Sequence, residues 1–389
     1  MIVPISNAPR DYAWGDPRAI ADLQGREPGG SPEAEVWLGD HPGDPAEVDD
    51  GSGLTLDAWI ARAGGRPLPF LLKILAAASP LSIQAHPSLA QAREGFAAEE
   101  AQGVPRDAAH RNYRDDNHKP EVIVALSDEF QALAGFRAVE EIDALLDAVA
   151  GQDAAVDALR EGLAASDPAA ALRELVGSLL SGEASSAVAA IEAGLELQAS
   201  GAFADDIAAV RDIARVYPGD PGVVVALLLN RVVLRRGEAL FVPAGMPHAY
   251  LSGLGVELMA ASDNVLRGGL TPKHVDAPEL LAVLDCAPGA APRLSPSRSE
   301  AGVEAFTPPI PDFALARVRR TDAAAAATPV AVAGPAIVLA TAGAATVRCA
   351  AASLALSPGS AAFVDGESEV FIEGAGEVFV AQAGGVSHD

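Results

Sequence analysis

The chain has 389 residues, 50% of them hydrophobic, and a formal net charge of −26. That length supports a large core in roughly two to three domains, and the acidic balance makes nucleic acid and anionic membranes poor partners. No apolar run approaches the ~20 residues that span a bilayer, the opening MIVPISNAPRDYAWG lacks a basic-then-apolar leader, and Cys286 and Cys349 lie far apart and read as reduced thiols, so a cytoplasmic protein is expected.

Residues 1–138 read as short apolar strands between Gly, Pro and Asp turns, for example Ala34–Leu38, Phe70–Leu75, Leu81–Ala85 and Glu121–Leu126. Residues 139–230 change texture. Aromatics nearly vanish, and Val139–Val149, Ala154–Leu163, Ala169–Leu180 and Ala187–Leu197 carry an apolar period near 3.6, which predicts several packed amphipathic helices. Strand and turn texture returns over 231–288. It persists over 289–389, where Ala336–Leu339, Ala345–Arg348 and Glu369–Ile372 read as strands and the only histidine is His388. The layout is a β segment, a helical insertion, a second β segment that completes the first, and a further β unit. Many short strands with even turn spacing point to a barrel or jelly roll.

Of the 27 basic residues only Lys73, Lys119 and Lys273 are lysines. Where arginine serves for most cations, a retained lysine suggests a place that wants a compact ammonium, and each lies in or close to a polar motif. Biased base composition is the plainer explanation.

The densest constellation is LSIQAHPS, in which Gln84 and His86 are two apart on a predicted strand and project from one face. Glu121 opens the strand of NHKPEVIVAL just after Pro120, and His248 sits in the turn of PAGMPHAYLSG. Two imidazoles, a carboxylate and an amide carbonyl suit a four-ligand zinc site that keeps one position open. Glutamine adds no charge, so the metal remains a stronger Lewis acid. The alternative is that these are hydrogen-bonded core side chains. A second polar stretch, GVELMAASDNVLRGGLTPKHVD, contains Glu257, Asp263, Arg267 and Lys273. Arg267 precedes two glycines that let backbone approach a ligand, and its paired donors suit a phosphate or an enediolate. The plain alternative is a solvated loop. No GxxxxGK[ST] loop or GxSxG elbow occurs, which argues against nucleoside triphosphate chemistry and that class of hydrolase.

Through YAWG (Tyr12–Gly15), FLLKIL with LSIQAHPS, GFAAEE, RNYRDDNHKPE (Arg111–Glu121), FVPAGMPHAYLSG (Phe241–Gly253) and ELMAASDNVLRGGLTPKHVD (Glu257–Asp276), the sequence resembles the type I phosphomannose isomerases. The motifs cover the two flanking β segments well, and the helical and C-terminal regions by layout alone. The resemblance implies a mainly β fold with an α-helical insertion: a cupin, or jelly-roll, catalytic domain split into residues 1–138 and 231–288, helices over 139–230, and a C-terminal jelly-roll-like domain over 289–389. It implies one Zn2+ per chain, held by Gln84, His86, Glu121 and His248, and places Arg267 at the reacting centre. Trp14, Lys73, Ser82, His118, Lys119, Tyr250, Glu257, Asp263 and Lys273 would line a sugar-phosphate pocket. Asp115-Asp116, Gly269 and the alanine-rich helices depart slightly from the family wording.

The expected reaction is the aldose–ketose interconversion of mannose 6-phosphate and fructose 6-phosphate by proton transfer between C1 and C2 through an enediol, in a monomer. Zinc would polarise the sugar oxygens and Arg267 would stabilise the developing charge. His118, Lys119, Glu257 and Asp263 are all candidates for the proton carrier. Lys119 is attractive because cationic neighbours lower a lysine pKa. Lys73 and Ser82 are expected to form part of the phosphate cradle. The rival expectations are a non-enzymatic sugar-phosphate-binding cupin with structural zinc, an iron-dependent cupin dioxygenase, and an isomerase of the same family acting on another aldose phosphate.

Overall fold

The computed structural model describes residues 1–197 and 201–384; His388 lies outside them. The protein is mainly β, and the described residues form two ten-stranded sheets and a block of helices. One sheet carries the site. Its central element is the long strand His248–Ala260, which pairs with four other strands. Its first half pairs with Gln84–Ala85 and Glu129–Phe136, its second half with Phe70–Ala77 and Glu121–Ala125.

Between those halves the register shifts at Tyr250/Ser252. Nine positions separate His248 from Glu257, so a regular strand would turn them to opposite faces. The bulge inserts the extra residue that brings them back to one face. Gly253 follows at φ 118°, where an added Cβ would lie 2.9 Å from the Phe130 backbone. Only glycine suits that crossing.

Helices occupy Val139–Ala150, Ala154–Leu163, Pro168–Leu180, Ser185–Leu197, Ala204–Val216 and Gly222–Leu228. Asp153 and Asp167 cap two of them, each accepting from two backbone N–H groups of the first turn. Their apolar faces pack into one core with Ile83, Leu133, Leu266 and Leu270 of the catalytic sheet region. The first 138 residues hold more helix than their strand texture predicts, chiefly Leu56–Arg62 and Leu89–Ala101. The second starts from a capping box, in which Ser88 accepts from the Gln91 backbone and the Gln91 side chain reaches back to the Ser88 N–H. That local signal outweighs a weakly amphipathic sequence.

The other sheet is built on Ala336–Arg348 and Glu369–Gln382. The N-terminal strand Ile2–Ser6 joins it, pairing with Ala361–Val364. Phe306, Phe363 and Phe379 bury against Phe70, Leu72 and Phe241, so one apolar core spans both sheets. Among the described residues no helix is long and apolar enough to cross a membrane.

Candidate active site

The strand pairings decide which side chains meet. His248 stands opposite Gln84, and Gln84 stands opposite Arg267 on its other side. Glu257 stands opposite Lys73, which in turn stands opposite Trp37. His86 leaves the end of the Gln84–Ala85 strand, and Glu121 begins the strand Glu121–Ala125.

His86, Glu121 and His248 are buried, with ligand atoms within 4.8 Å of one another. His86 Nε2 lies 3.2 Å from Glu121 Oε1, and His248 Nε2 lies 3.3 Å from Glu121 Oε2. The second nitrogen of each ring faces a carbonyl: His86 Nδ1 is 2.7 Å from Asn264 O, and His248 Nδ1 is 3.2 Å from Met246 O. A carbonyl only accepts, so each Nδ1 carries the proton and each Nε2 presents a lone pair. Two lone pairs therefore confront a carboxylate, and His86 Nε2 has no hydrogen-bond partner. An arrangement of acceptors alone is satisfied by a cation between them. The donor set of two imidazoles, a carboxylate and the neighbouring Gln84 amide fits zinc.

The electrostatics agree. Burial, reinforced by Lys119, pushes the His86 imidazole down to about 4, so it is neutral. Burial alone would raise Glu121, but the Lys119 ammonium outweighs it and holds the carboxyl well below the usual range. The Lys119 ammonium donates directly to Glu121. Burial and Glu121 keep the Tyr250 phenol well above its ordinary value, and its O–H lies 3.3 Å from Glu121 Oε2.

Above this cluster opens a cavity of about 510 Å³, large enough for a sugar phosphate. Trp14, Lys73, Ser82, Gln84, Tyr250 and Lys273 line it, together with Lys119, Glu257 and Arg267. Trp14 stacks on Tyr12 at 5.7 Å. Two of the proton-carrier candidates lie elsewhere. His118 Nε2 is 2.8 Å from Asp312 Oδ1, toward the C-terminal unit. Asp263 is exposed, lines only an adjoining cleft, and lies 3.6 Å from His41.

The cations divide into two kinds. Lys73 is buried between Glu257 Oε2 at 3.1 Å and Glu35 Oε1 at 3.4 Å, with Trp37 beneath it at 5.0 Å. Burial opposes its charge, yet Glu35 and Glu257 raise its pKa. Lys73 is thus already neutralised by protein. Arg267, Lys273 and Arg114 are different: among the described residues none of them has a carboxylate within ion-pair distance. Burial and Arg114 lower the Arg267 pKa, and burial, Arg267 and Arg114 lower that of Lys273. Mutually repelling cations left uncompensated on a protein of net charge −26 form a local seat for an anion.

Sequence reasoning missed Glu35 and Tyr217, which line the cavity, and Arg114, which lines the adjoining cleft. Glu35 is two positions from Trp37 on one strand, and its Oε2 accepts from the Trp37 indole at 2.8 Å. Arg114 lies within RNYRDDNHKPE but is not singled out by spacing. Tyr217 arrives from the helical region.

Comparison with known proteins agrees with this geometry. Residues 2–139 match the catalytic domain of phosphomannose isomerase type I. Mannose-6-phosphate isomerase of Escherichia coli K12 is 40% identical over 377 residues, covering 92% of this chain and 93% of that protein. The Homo sapiens enzyme of the same name is 35% identical, with 81% of each chain covered. The Salmonella typhimurium mannose 6-phosphate isomerase, solved with fructose 6-phosphate as substrate and with zinc, superposes with a TM-score of 0.88 at 38% identity, covering 98% of this chain and 99% of the other. The chain belongs to the type I phosphomannose isomerase family.

Proposed function

We propose that this chain interconverts mannose 6-phosphate and fructose 6-phosphate, moving a proton between C1 and C2 of the open-chain sugar through an enediol, with zinc held by Gln84, His86, Glu121 and His248. The observation that carries this reading is the convergence of two imidazole lone pairs on one buried carboxylate at the floor of a sugar-sized cavity. Bound zinc supplies a Lewis acid that draws electron density from sugar oxygens.

The remaining work falls to side chains. Glu257 faces the cavity, and burial raises its pKa despite Lys73, the direction that suits a proton carrier near neutral pH. It takes the proton from C2 of the aldose and returns it to C1 while the hydroxyl proton on O2 passes to O1, and the reverse holds for the ketose. Lys73 holds one Glu257 oxygen and so orients the other. The Lys119 ammonium keeps Glu121 ionised. Arg267 stabilises the oxygen that becomes negative as the enediol forms. Arg114 and Lys273 receive the phosphate, while Trp14, Ser82 and Tyr250 shape the sugar pocket.

We further propose a cytoplasmic monomer. Cys286 and Cys349 are buried and unpaired. Among the described residues only Met1, Leu197 and Val216 are large hydrophobics left exposed, so an extended apolar interface has no support. We propose the domain division at 138/139, 230/231 and 288/289, and the run of helices between Val139 and Leu228 supports its first two boundaries. A coupled assay with mannose 6-phosphate, with and without chelator, tests the reading. Turnover that chelation abolishes and zinc restores is expected; a zinc-loaded protein that binds sugar phosphate without turnover overturns it.

A further inference from the structure

Among the described residues the helical region lines the cavity through Val216 and Tyr217, where the helix Ala204–Val216 runs into the segment Tyr217–Gly222 that leads to the helix Gly222–Leu228. Two polar contacts leave it in different directions. The Tyr217 hydroxyl donates to Pro80 O at 3.1 Å, on the loop that leads to Ser82 and Gln84. Asp220 Oδ2 accepts from the Thr271 backbone N–H at 3.3 Å, on the loop between Arg267 and Lys273. Asp220 Oδ1 accepts from Gly222 N at 2.8 Å.

The second loop needs support. Leu270 has φ 56°, the one positive value among described non-glycine residues, and Gly269 has φ 112°. A branched side chain in the left-handed region costs of order 1 kcal/mol and persists only where the surroundings over-determine it. On one side of the loop Ile83 holds it, accepting from Gly268 N–H at 2.8 Å and donating to Gly269 O at 3.2 Å; on the other side stands the helical region. A Cβ on Gly222 would lie 2.7 Å from Leu270 N, and a Cβ on Gly269 would lie 2.6 Å from Gly222 Cα. The two backbones are in direct contact, and the Asp220 carboxylate closes the joint. Leu270 sits three positions after Arg267 and three before Lys273.

We propose that Asp220 is a positioning residue for the isomerisation: by accepting from Thr271 N–H it holds the strained Gly269–Leu270 turn and thereby fixes Arg267 and Lys273 over the cavity. This assigns the helical insertion a role in catalysis, as a brace between the two loops of the cleft, and it rests on the reading given under Proposed function. Asp220 touches no substrate. Its carboxylate acts through the turn.

The test compares wild type, Asp220→Asn and Asp220→Ala, all zinc-loaded, for kcat, KM, melting temperature and affinity for inorganic phosphate by calorimetry. Displacing a catalytic group by about 1 Å costs up to ~100-fold in rate. Asp220→Ala is expected to lower kcat at least about tenfold and to weaken phosphate binding several-fold, with zinc content unchanged. Asp220→Asn retains one acceptor for two N–H donors and is expected to fall between. A lower melting temperature with kcat and phosphate affinity intact would overturn the proposal, leaving Asp220 as a cap for the short helix. Should Asp220→Ala not fold, Gly222→Ala keeps the acidic side chain but sets a methyl 2.7 Å from Leu270 N and 2.9 Å from both Asp220 Oδ1 and Gly269 C, which forces the same joint apart, and it is read the same way. A wild type that binds phosphate but shows no turnover would indict the reaction assignment, while the phosphate affinities of the variants would still test the brace.

Discussion

Gln84 stands directly across from His248 in an antiparallel pair, and His248 Nε2 lies 3.3 Å from Glu121 Oε2. The two donors differ in charge behaviour. His248→Ala removes a lone pair from a buried site, and zinc content by metal analysis is expected to fall to background along with activity. Gln84→Glu keeps a donor oxygen but adds negative charge, which weakens the bound metal as a Lewis acid. It is expected to retain zinc and to lose roughly 10–100-fold in kcat, the scale on which altered metal surroundings act. An unchanged kcat in Gln84→Glu would remove glutamine from the proposed ligand set.

Arg267 and Arg114 repel one another, and the roles proposed for them separate cleanly in kinetics. Arg267→Ala removes a group that acts where charge develops, and kcat is expected to fall about 10²–10³-fold with a smaller change in KM. Arg114→Ala removes a handle on the phosphate, equally bound in ground and transition states. It is expected to raise KM about tenfold or more, the value of one hydrogen bond to a charged group, with kcat little changed. Measured on mannose 6-phosphate, the reverse pattern would exchange the two assignments.

Of the four proton-carrier candidates, Glu257 and Lys119 face the cavity whereas His118 faces Asp312 and Asp263 faces the adjoining cleft. Glu257→Gln is nearly isosteric and keeps an oxygen for Lys73. It is expected to lower kcat about 10²–10⁴-fold with zinc retained. His118→Ala is expected to leave kcat within about twofold and to lower the melting temperature, because it frees a partly buried Asp312 carboxylate. A loss in His118→Ala comparable to that in Glu257→Gln would return His118 to the chemistry.

The sequence makes some of this legible for a physical reason. Gln84, His86, Glu121 and His248 each sit beside a strand signal or a proline turn, and polar ligands on otherwise apolar strands stand out. The mainly β character with a helical insertion is legible from the change of period at Val139. Arg114 is not, because its place depends on Asn264, 150 positions away, whose side chain accepts from the Arg114 backbone at 2.7 Å. Nor is the state of Lys73: only the fold brings Glu35 and Glu257 to its two sides and converts an expected phosphate ligand into a buried, paired cation. Parity fails as a guide along His248–Ala260, because a bulge that no motif announces turns Glu257 to the face of His248.

The C-terminal sheet meets the catalytic one through charge as well as apolar packing. Arg236, in the turn before the strand Ala239–Val242, reaches Glu377 Oε2 at 3.0 Å, and Arg317 lies against the same turn, where a Cβ on Gly237 would meet its guanidinium. Arg317 is held by Glu304, with Nη2 to Oε2 at 2.6 Å and side chains 5% and 11% exposed. Burial alone would raise the Glu304 carboxyl, but the hydrogen bond and charge of Arg317 outweigh it and lower the pKa. A lowered carboxyl stabilises the fold fully above its unfolded value of 4.5 and loses that contribution as pH falls through the folded value. Glu304→Gln is therefore expected to cost about 3 kcal/mol near neutral pH, the lower end for breaking a buried pair. The deficit shrinks as the wild type itself becomes protonated below 4.5. Chemical denaturation of both proteins across that range checks it: curves that stay parallel into acid would mean that Glu304 acts by packing and not by charge.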